Sequence, residues 1–82
     1  MQFDLVTPEK LIVSTQADYI NLPGTEGYFG VLDGHQATLA TLNAGVIEVR
    51  TGSETVSYKI SGGFVDVDAT KVTVLADALQ DN

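Results

Sequence analysis

Residues 46–60, Val46-Ile47-Glu48-Val49-Arg50-Thr51-Gly52-Ser53-Glu54-Thr55-Val56-Ser57-Tyr58-Lys59-Ile60, alternate apolar and polar side chains on either side of Gly52-Ser53. Alternation with a period of two predicts strands with one buried face, and a glycine that opens a two-residue loop favours a type II′ hairpin turn. This loop places Thr51 opposite Glu54 and collects the apolar side chains on one face as two facing pairs, Val49 with Val56 and Ile47 with Tyr58. A slip of one residue would bury charged side chains, so the register is well determined.

The same pattern recurs after Ser61-Gly62-Gly63, where two valines alternate with two aspartates and two more valines follow Ala69-Thr70. β-branched residues fit a strand better than a helix, because a helix crowds their side chains. The pattern predicts a second hairpin with Asp68 beside Lys71 and an inner face made of Val65, Val67, Val72 and Val74.

Elsewhere, turn-forming residues interrupt the apolar pattern about every eight to twelve residues, which is typical of a β-sandwich or barrel. Phe3 and Leu5 predict a first strand, which ends in a turn at residues 8–10. Further strands are predicted from Leu11, from Ala17 to Leu22 with Pro23-Gly24 as its end, and from Ala37 to Leu42. Only Ala76–Gln80 has the composition of a helix start, and it is too short to be stable alone. The fold class is therefore all-β.

The densest turn-forming sequence is Pro23-Gly24-Thr25-Glu26-Gly27-Tyr28-Phe29-Gly30-Val31-Leu32-Asp33-Gly34-His35, which also contains the only histidine of the chain. Glycine adopts backbone angles that other residues avoid, and it lets another backbone approach closely. We therefore predict a shaped loop here, which is either a folded corner or a docking surface.

Composition limits the classes of function. The 82 residues suffice for one small domain, and eleven acidic against four basic residues give a net charge of −7. Nucleic acids and anionic membrane surfaces are poor partners for such a chain, because both require clustered basic residues. There is no cysteine for a disulfide framework, no apolar run of about 18 residues and no signal or transit peptide pattern.

Each feature that could serve chemistry has a simpler structural interpretation. His35 has no cysteine to activate and no serine in a nucleophile elbow, so a turn or interface histidine is favoured over a general base. Asp66 and Asp68 project from one strand face, and a solvated sheet surface is favoured over half of a metal site. The glycines at 24, 27 and 30 lack a Walker lysine and have Glu26 among them, which argues against a phosphate site.

Lys71 is a second candidate for chemistry, because lipoyl and biotinyl carrier domains of similar size attach their group to a lysine at a hairpin tip. In those carriers the lysine is near the middle of the chain, whereas Lys71 lies close to the end and has Asp68 as a cross-strand partner. A carrier domain is therefore the alternative function and not the leading one.

Several segments together resemble the N-terminal β-sandwich domain of the epsilon subunit of F-type ATP synthases, the counterpart of the mitochondrial delta subunit. The similarity is strongest in the glycine-rich stretch, at Pro23-Gly24-Thr25-Glu26-Gly27, Phe29-Gly30-Val31-Leu32 and Gly34-His35. It extends in order and spacing to Phe3-Asp4-Leu5-Val6-Thr7-Pro8-Glu9, Gly45-Val46-Ile47, Gly62-Gly63-Phe64 and Val72-Thr73-Val74-Leu75-Ala76.

The resemblance implies a flattened sandwich or barrel of about ten short, mostly antiparallel strands over residues 1–82, with the helical hairpin that usually follows it in the family absent from this chain. It implies a non-catalytic rotor part without a cofactor or metal, which links the gamma subunit to the membrane c-ring and so couples ion transport to ATP synthesis. By motif match, the c-ring contact would involve Glu26, Gly27 and Tyr28, and the gamma contact His35 and Gln36. The expected location is the cytoplasmic face of a bacterial inner membrane, with the plastid thylakoid as the alternative.

Overall fold

A computed structural model describes residues 1–80 and has nine β-strands and, over that range, no helix. The all-β prediction is thereby confirmed, with nine strands where about ten were expected. The strands are β1 Gln2–Val6, β2 Leu11–Gln16, β3 Tyr19–Gly24, β4 Gly27–Leu32, β5 Thr38–Leu42, β6 Gly45–Thr51, β7 Glu54–Ile60, β8 Gly63–Val67 and β9 Lys71–Ala76. No helix in residues 1–80 is long and apolar enough to cross a membrane.

The strands form one curled sheet in the order β2-β1-β9-β8-β5-β3-β6-β7, and β4 pairs with the remaining side of β3. Neighbouring strands are antiparallel except for β1 and β9. A single pair, Gly24 with Leu42, joins β3 to β5, so the sheet folds over at this corner. Strands on both sides of the corner supply the one apolar core, whose fully buried members include Phe3, Leu5, Ile20, Leu22, Ile47, Ile60, Val65, Val67, Val72 and Val74.

Both hairpins read from the sequence are present in the register that it predicts. Gly52 has φ 61° in the β6–β7 turn, and Thr51 faces Glu54 across it. The facing pairs continue as Val49 with Val56 and Ile47 with Tyr58. In the second hairpin, β8 and β9 pair through Val67 with Val72 and Val65 with Val74, and all four valines are buried.

The glycine-rich stretch is not the predicted loop but the greater part of a hairpin. The third strand does not stop at Leu22 but continues through Pro23 and Gly24. They belong to β3, and β4 follows after a two-residue turn at Thr25 and Glu26. A Cβ on Gly24 would lie 2.9 Å from the Phe29 ring and 2.8 Å from the Gly27 carbonyl oxygen. The glycine therefore makes room for a neighbouring side chain within a regular strand.

Two smaller predictions are also wrong. The third strand starts at Tyr19, because the Ala17 amide donates to the Met1 carbonyl (2.8 Å) and not to a neighbouring strand of the hairpin. Ala76–Gln80, which was expected to be too short for a stable helix, is not helical: Leu79 pairs with Ile60, and the Gln80 amide donates to the Lys59 carbonyl at 2.8 Å. This short segment extends the sheet along the edge of β7.

The second wrong prediction concerns Lys71, whose ammonium pairs with Asp4 and not with Asp68. Its Nζ lies 3.4 Å from Asp4 Oδ2, while Asp68 meets Lys71 through the backbone, amide to carbonyl, at 2.7 Å. The reason is that β1 lies parallel beside β9, with Gln2 opposite Lys71, so Asp4 comes within reach of the lysine.

Candidate docking surface

The tip of the hairpin consists of Thr25 and Glu26, and Thr25 is hydrogen-bonded to Thr41 near the end of β5. The Thr25 amide donates to the Thr41 carbonyl at 3.1 Å, and the two threonine hydroxyls lie 2.9 Å apart. One residue earlier in β3 than Gly24, the Pro23 carbonyl accepts from the Asn43 amide at 2.8 Å. Glu26 is therefore an exposed carboxylate on a turn whose backbone is held in place.

Tyr28 lies against the outer side of the sheet and does not extend from the tip. It faces Pro23 across the hairpin, and its hydroxyl oxygen accepts a hydrogen bond from the Val46 amide at 3.2 Å. A Cβ on Gly45 would lie 2.7 Å from that oxygen, so the glycine admits the phenol. The side chain keeps 58% of its surface exposed, and it thus offers a fixed aromatic face to solvent.

His35 and Gln36 belong to the loop of residues 33–37, which is tied to the opposite layer. The Gly34 amide donates to the Ala69 carbonyl at 2.9 Å, and the Asp33 carboxylate lies 2.9 Å from the amino group of Met1. The Gln36 carbonyl accepts from His35 Nδ1 at 2.7 Å and from the Thr38 hydroxyl at 3.0 Å. His35 is half-buried and its Nδ1 is hydrogen-bonded within its own loop, which fits the interpretation of a turn or interface histidine.

A groove of about 410 Å³ separates the underside of the hairpin from β5. Its lining brings together three of the residues singled out from the sequence, Glu26, Gly27 and His35. Tyr28 lies on the other face of β4, and Gln36 does not line the groove. We call this feature the β5 groove; its lining is Gly24, Thr25, Glu26, Gly27, Phe29, His35, Thr38, Leu39, Ala40 and Thr41.

The family model described as ATP synthase, Delta/Epsilon chain, beta-sandwich domain matches residues 1–81. The chain belongs to this family. Among its curated relatives are the ATP synthase epsilon chain of Magnetococcus marinus, 42% identical over 77 residues, and that of Nitratidesulfovibrio vulgaris, 40% identical over 80 residues. The matches cover 94% and 98% of this chain but only 56% and 60% of those relatives.

A solved structure of the Euglena gracilis mitochondrial ATP synthase, which comprises OSCP, F1 and the c-ring, contains a chain of the same fold. The TM-score is 0.88 at 30% sequence identity, and the match covers 95% of this chain and 51% of that one. None of these similarities supports the carrier alternative, and Lys71 is an ion-paired residue at the first position of β9.

Sequence reasoning missed an apolar row on the outer face of this delta/epsilon sandwich. Val6 is half-buried, faces Leu11 on one side and Leu75 on the other, and Leu75 faces Phe64. The other three side chains are about half exposed. The sequence did contain a signal for Phe64 and Leu75. Side chains alternate between the two faces of a strand, so the pattern that buries Val65 and Val74 places Phe64 and Leu75 on the outer face.

A polar network occupies the same outer face farther along β1. Asp4 Oδ1 accepts from Gln2 Nε2 at 2.9 Å and from the Ser14 hydroxyl at 2.7 Å. These hydrogen bonds, and then the Lys71 ammonium, hold the pKa of the Asp4 carboxyl below its usual value. Within the described residues 1–80 no three histidine, cysteine or acidic side chains gather as metal ligands, and Asp66 and Asp68 are exposed.

Proposed function

We propose that this chain is the N-terminal β-sandwich domain of an ATP synthase epsilon subunit and acts as a non-catalytic part of the rotor. It joins the gamma subunit to the c-ring and so couples ion translocation to ATP synthesis. The observation that carries the proposal is the family match over residues 1–81. Curated relatives named ATP synthase epsilon chain support it further, as does a similar chain in a structure that contains F1 and the c-ring.

We assign the c-ring contact to Glu26, Gly27 and Tyr28. The tip carries an exposed carboxylate on a backbone fixed by the Thr25–Thr41 bonds, and an acidic surface attracts basic loops. Tyr28 adds a half-exposed aromatic ring that is already immobilised by its bond to the Val46 amide, so binding costs little side-chain entropy. A contact that transmits torque benefits from both features, because a flexible tip would deform under load and transmit less force.

We assign the gamma contact to His35 and Gln36. Their loop is tied to Ala69 and, through Asp33, to the amino group of Met1, so it moves with the body of the sandwich. Force applied at this loop therefore reaches the hairpin tip through one rigid unit. We place the subunit peripherally, on the cytoplasmic face of a bacterial inner membrane, and the bacterial sources of the curated relatives support this location.

Co-expression with a gamma subunit, followed by gel filtration, tests the proposal. We expect the two chains to elute together, and failure to co-elute would remove the rotor assignment. For the ring contact, Glu26→Lys and Tyr28→Ala should each weaken association with a purified c-ring, while Glu54→Lys should not. Glu54 is the matched control, because it is an exposed glutamate next to the two-residue turn of a different hairpin, β6–β7.

A further inference from the structure

The β5 groove has an open strand edge along one side. β5 pairs with β8 over all five of its residues, but with β3 only where Leu42 meets Gly24. Beyond that pair the Thr25–Thr41 bond ends the contact with the hairpin. From Thr38 to Ala40, β5 therefore has no strand on its second side within residues 1–80.

The backbone groups of Leu39 point to this open side. Alternate residues of a strand direct their N–H and C=O to the same side. The Thr41 carbonyl points away from β8, since it accepts from the Thr25 amide, and Leu39 is two residues earlier. Its amide and carbonyl thus face the groove, and its side chain is 77% exposed, more than any other large apolar side chain described in residues 1–80.

Within the described residues, the edge of β7 is partly covered, whereas the β5 edge beside Leu39 is not. Residues 78–80 cover the end of β7 through the Leu79–Ile60 pair and the Gln80–Lys59 bond. Natural proteins commonly protect free edges with lysine, proline, a bulge or a covering segment. The stretch Thr38-Leu39-Ala40-Thr41 contains neither lysine nor proline and pairs with β8 without a shift in register.

The charges around the groove define the chemistry of an occupant. Glu26 is at the end beside Thr41, and Asp66 stands directly opposite Leu39 on β8 with its side chain exposed. No lysine or arginine lines the groove, and the chain as a whole carries −7. The apolar part of the lining is provided by Phe29, Leu39 and Ala40.

We propose that the β5 groove binds an extended segment of a partner protein that alternates basic and apolar residues and adds to the sheet as a short strand beside Leu39. This strand continues the line of β3 beyond Thr25 and runs antiparallel to β5. It exchanges backbone hydrogen bonds with Leu39, places an apolar side chain over Phe29 and a basic one near Glu26. Main-chain bonds supply affinity and the alternate side chains supply specificity, as in other strand-addition complexes.

The available edge limits the strength of the contact. Three residues of strand span about 10 Å, which accommodates only a few backbone hydrogen bonds. We therefore expect weak, rapidly exchanging binding with a dissociation constant in the millimolar to high micromolar range. This strand addition does not require the rotor assignment, because its main contacts are the backbone groups of Leu39, although the groove shares Glu26, Gly27 and His35 with the proposed c-ring and gamma contacts.

The test is a titration of the isotope-labelled chain with an acetylated, amidated heptapeptide of alternating lysine and valine, followed by amide NMR spectra. The expected result is saturable shifts at Thr38–Thr41 and at the hairpin tip, with slowed exchange of the Leu39 amide. A peptide of the same sequence with alternate backbone amides N-methylated on one edge should bind at least about tenfold more weakly, because it cannot pair as a strand.

Two pairs of variants separate the backbone from the side-chain contributions. Leu39→Pro removes the amide that faces the groove and should abolish saturation, whereas Leu39→Ala keeps that amide and should weaken binding by no more than about threefold. Glu26→Gln should weaken binding by about two- to fivefold, and Glu54→Gln, with the same change of charge at the start of β7, should leave it unchanged.

Three outcomes would overturn the proposal. The first is the absence of saturable shifts in the millimolar range, and the second is equal binding of the N-methylated peptide. The third is a change in the shifts of Thr38–Thr41 with protein concentration alone, which would make a second copy of the chain the occupant. If Leu39→Pro fails to fold, the pair of peptides still decides the question on the unaltered chain.

Discussion

The β6–β7 and β3–β4 hairpins have turns of the same length, yet only the first could be predicted from the sequence. In β6–β7 the side chains alternate without interruption, and the pairs Ile47–Tyr58 and Val49–Val56 follow directly. In β3–β4 the alternation is broken at Gly24 and Gly30, over which Phe29 and Tyr19 lie. A strand can therefore resemble a loop in the sequence when glycines replace side chains at positions that a side chain of the neighbouring strand covers.

The largest expected effect tests which residues of β6–β7 support the core. Ile47→Ala should lower the free energy of unfolding by about 3 to 4 kcal/mol, because Ile47 is completely buried and truncation leaves a cavity. Val56→Ala should cost about 1 kcal/mol or less, since Val56 is 49% exposed although it belongs to the same apolar face. Urea denaturation of both variants checks this, and similar losses would contradict the described packing.

The next effect tests the empty positions of β3–β4. Gly24→Ala should destabilise the chain by about 2 to 3 kcal/mol, because the added methyl meets the Phe29 ring and the Gly27 carbonyl. Gly52→Ala, at a position with open space and φ 61°, should cost about 1 kcal/mol through backbone strain alone. Thermal or urea unfolding gives both values. A greater loss at Gly52 would mean that the glycine-rich strand is looser than described.

A smaller effect concerns the bond that ties the two hairpins together. Tyr28→Phe removes the acceptor of the Val46 amide and should cost about 0.5 to 1 kcal/mol while retaining the ring. Hydrogen exchange should accelerate at Val46 and remain unchanged at Val49. Unaltered exchange at Val46 would show that the phenol is free, and Tyr28 would then be an independent side chain on the surface.

The smallest effect belongs to the polar network on β1 and depends on pH. The pKa of the folded-state Asp4 carboxyl is lowered, so its stabilising contribution is present above about pH 4 and is lost as the pH falls through that lower value. Ser14→Ala should raise the pKa of Asp4 towards its usual value and destabilise the chain by less than about 1 kcal/mol near neutral pH. The difference from the unaltered chain should shrink in acid. NMR titration of the Asp4 carboxyl measures the shift, and an unchanged pKa would remove Ser14 as a cause.

The local sequence pattern correctly predicted contacts between segments that are neighbours in the sequence. It did not predict contacts between strands that are far apart in the sequence. Val65 facing Val74 follows from alternation around one turn. Lys71 pairing with Asp4, in contrast, depends on β1 lying parallel beside β9, and no residue near Lys71 signals that neighbour. The β5 groove is of the second kind, since Glu26 and His35 both line it beside the corner where Gly24 pairs with Leu42.

Backbone hydrogen exchange of the chain, free and assembled with a gamma subunit and a c-ring, tests the central claim that the β3–β4 hairpin is the docking element. We expect slower exchange on assembly at residues 25–28 and 35–36, with the β6–β7 turn at Gly52 and Ser53 unchanged. Protection confined to the β6–β7 turn, or absent from residues 25–28, would contradict it.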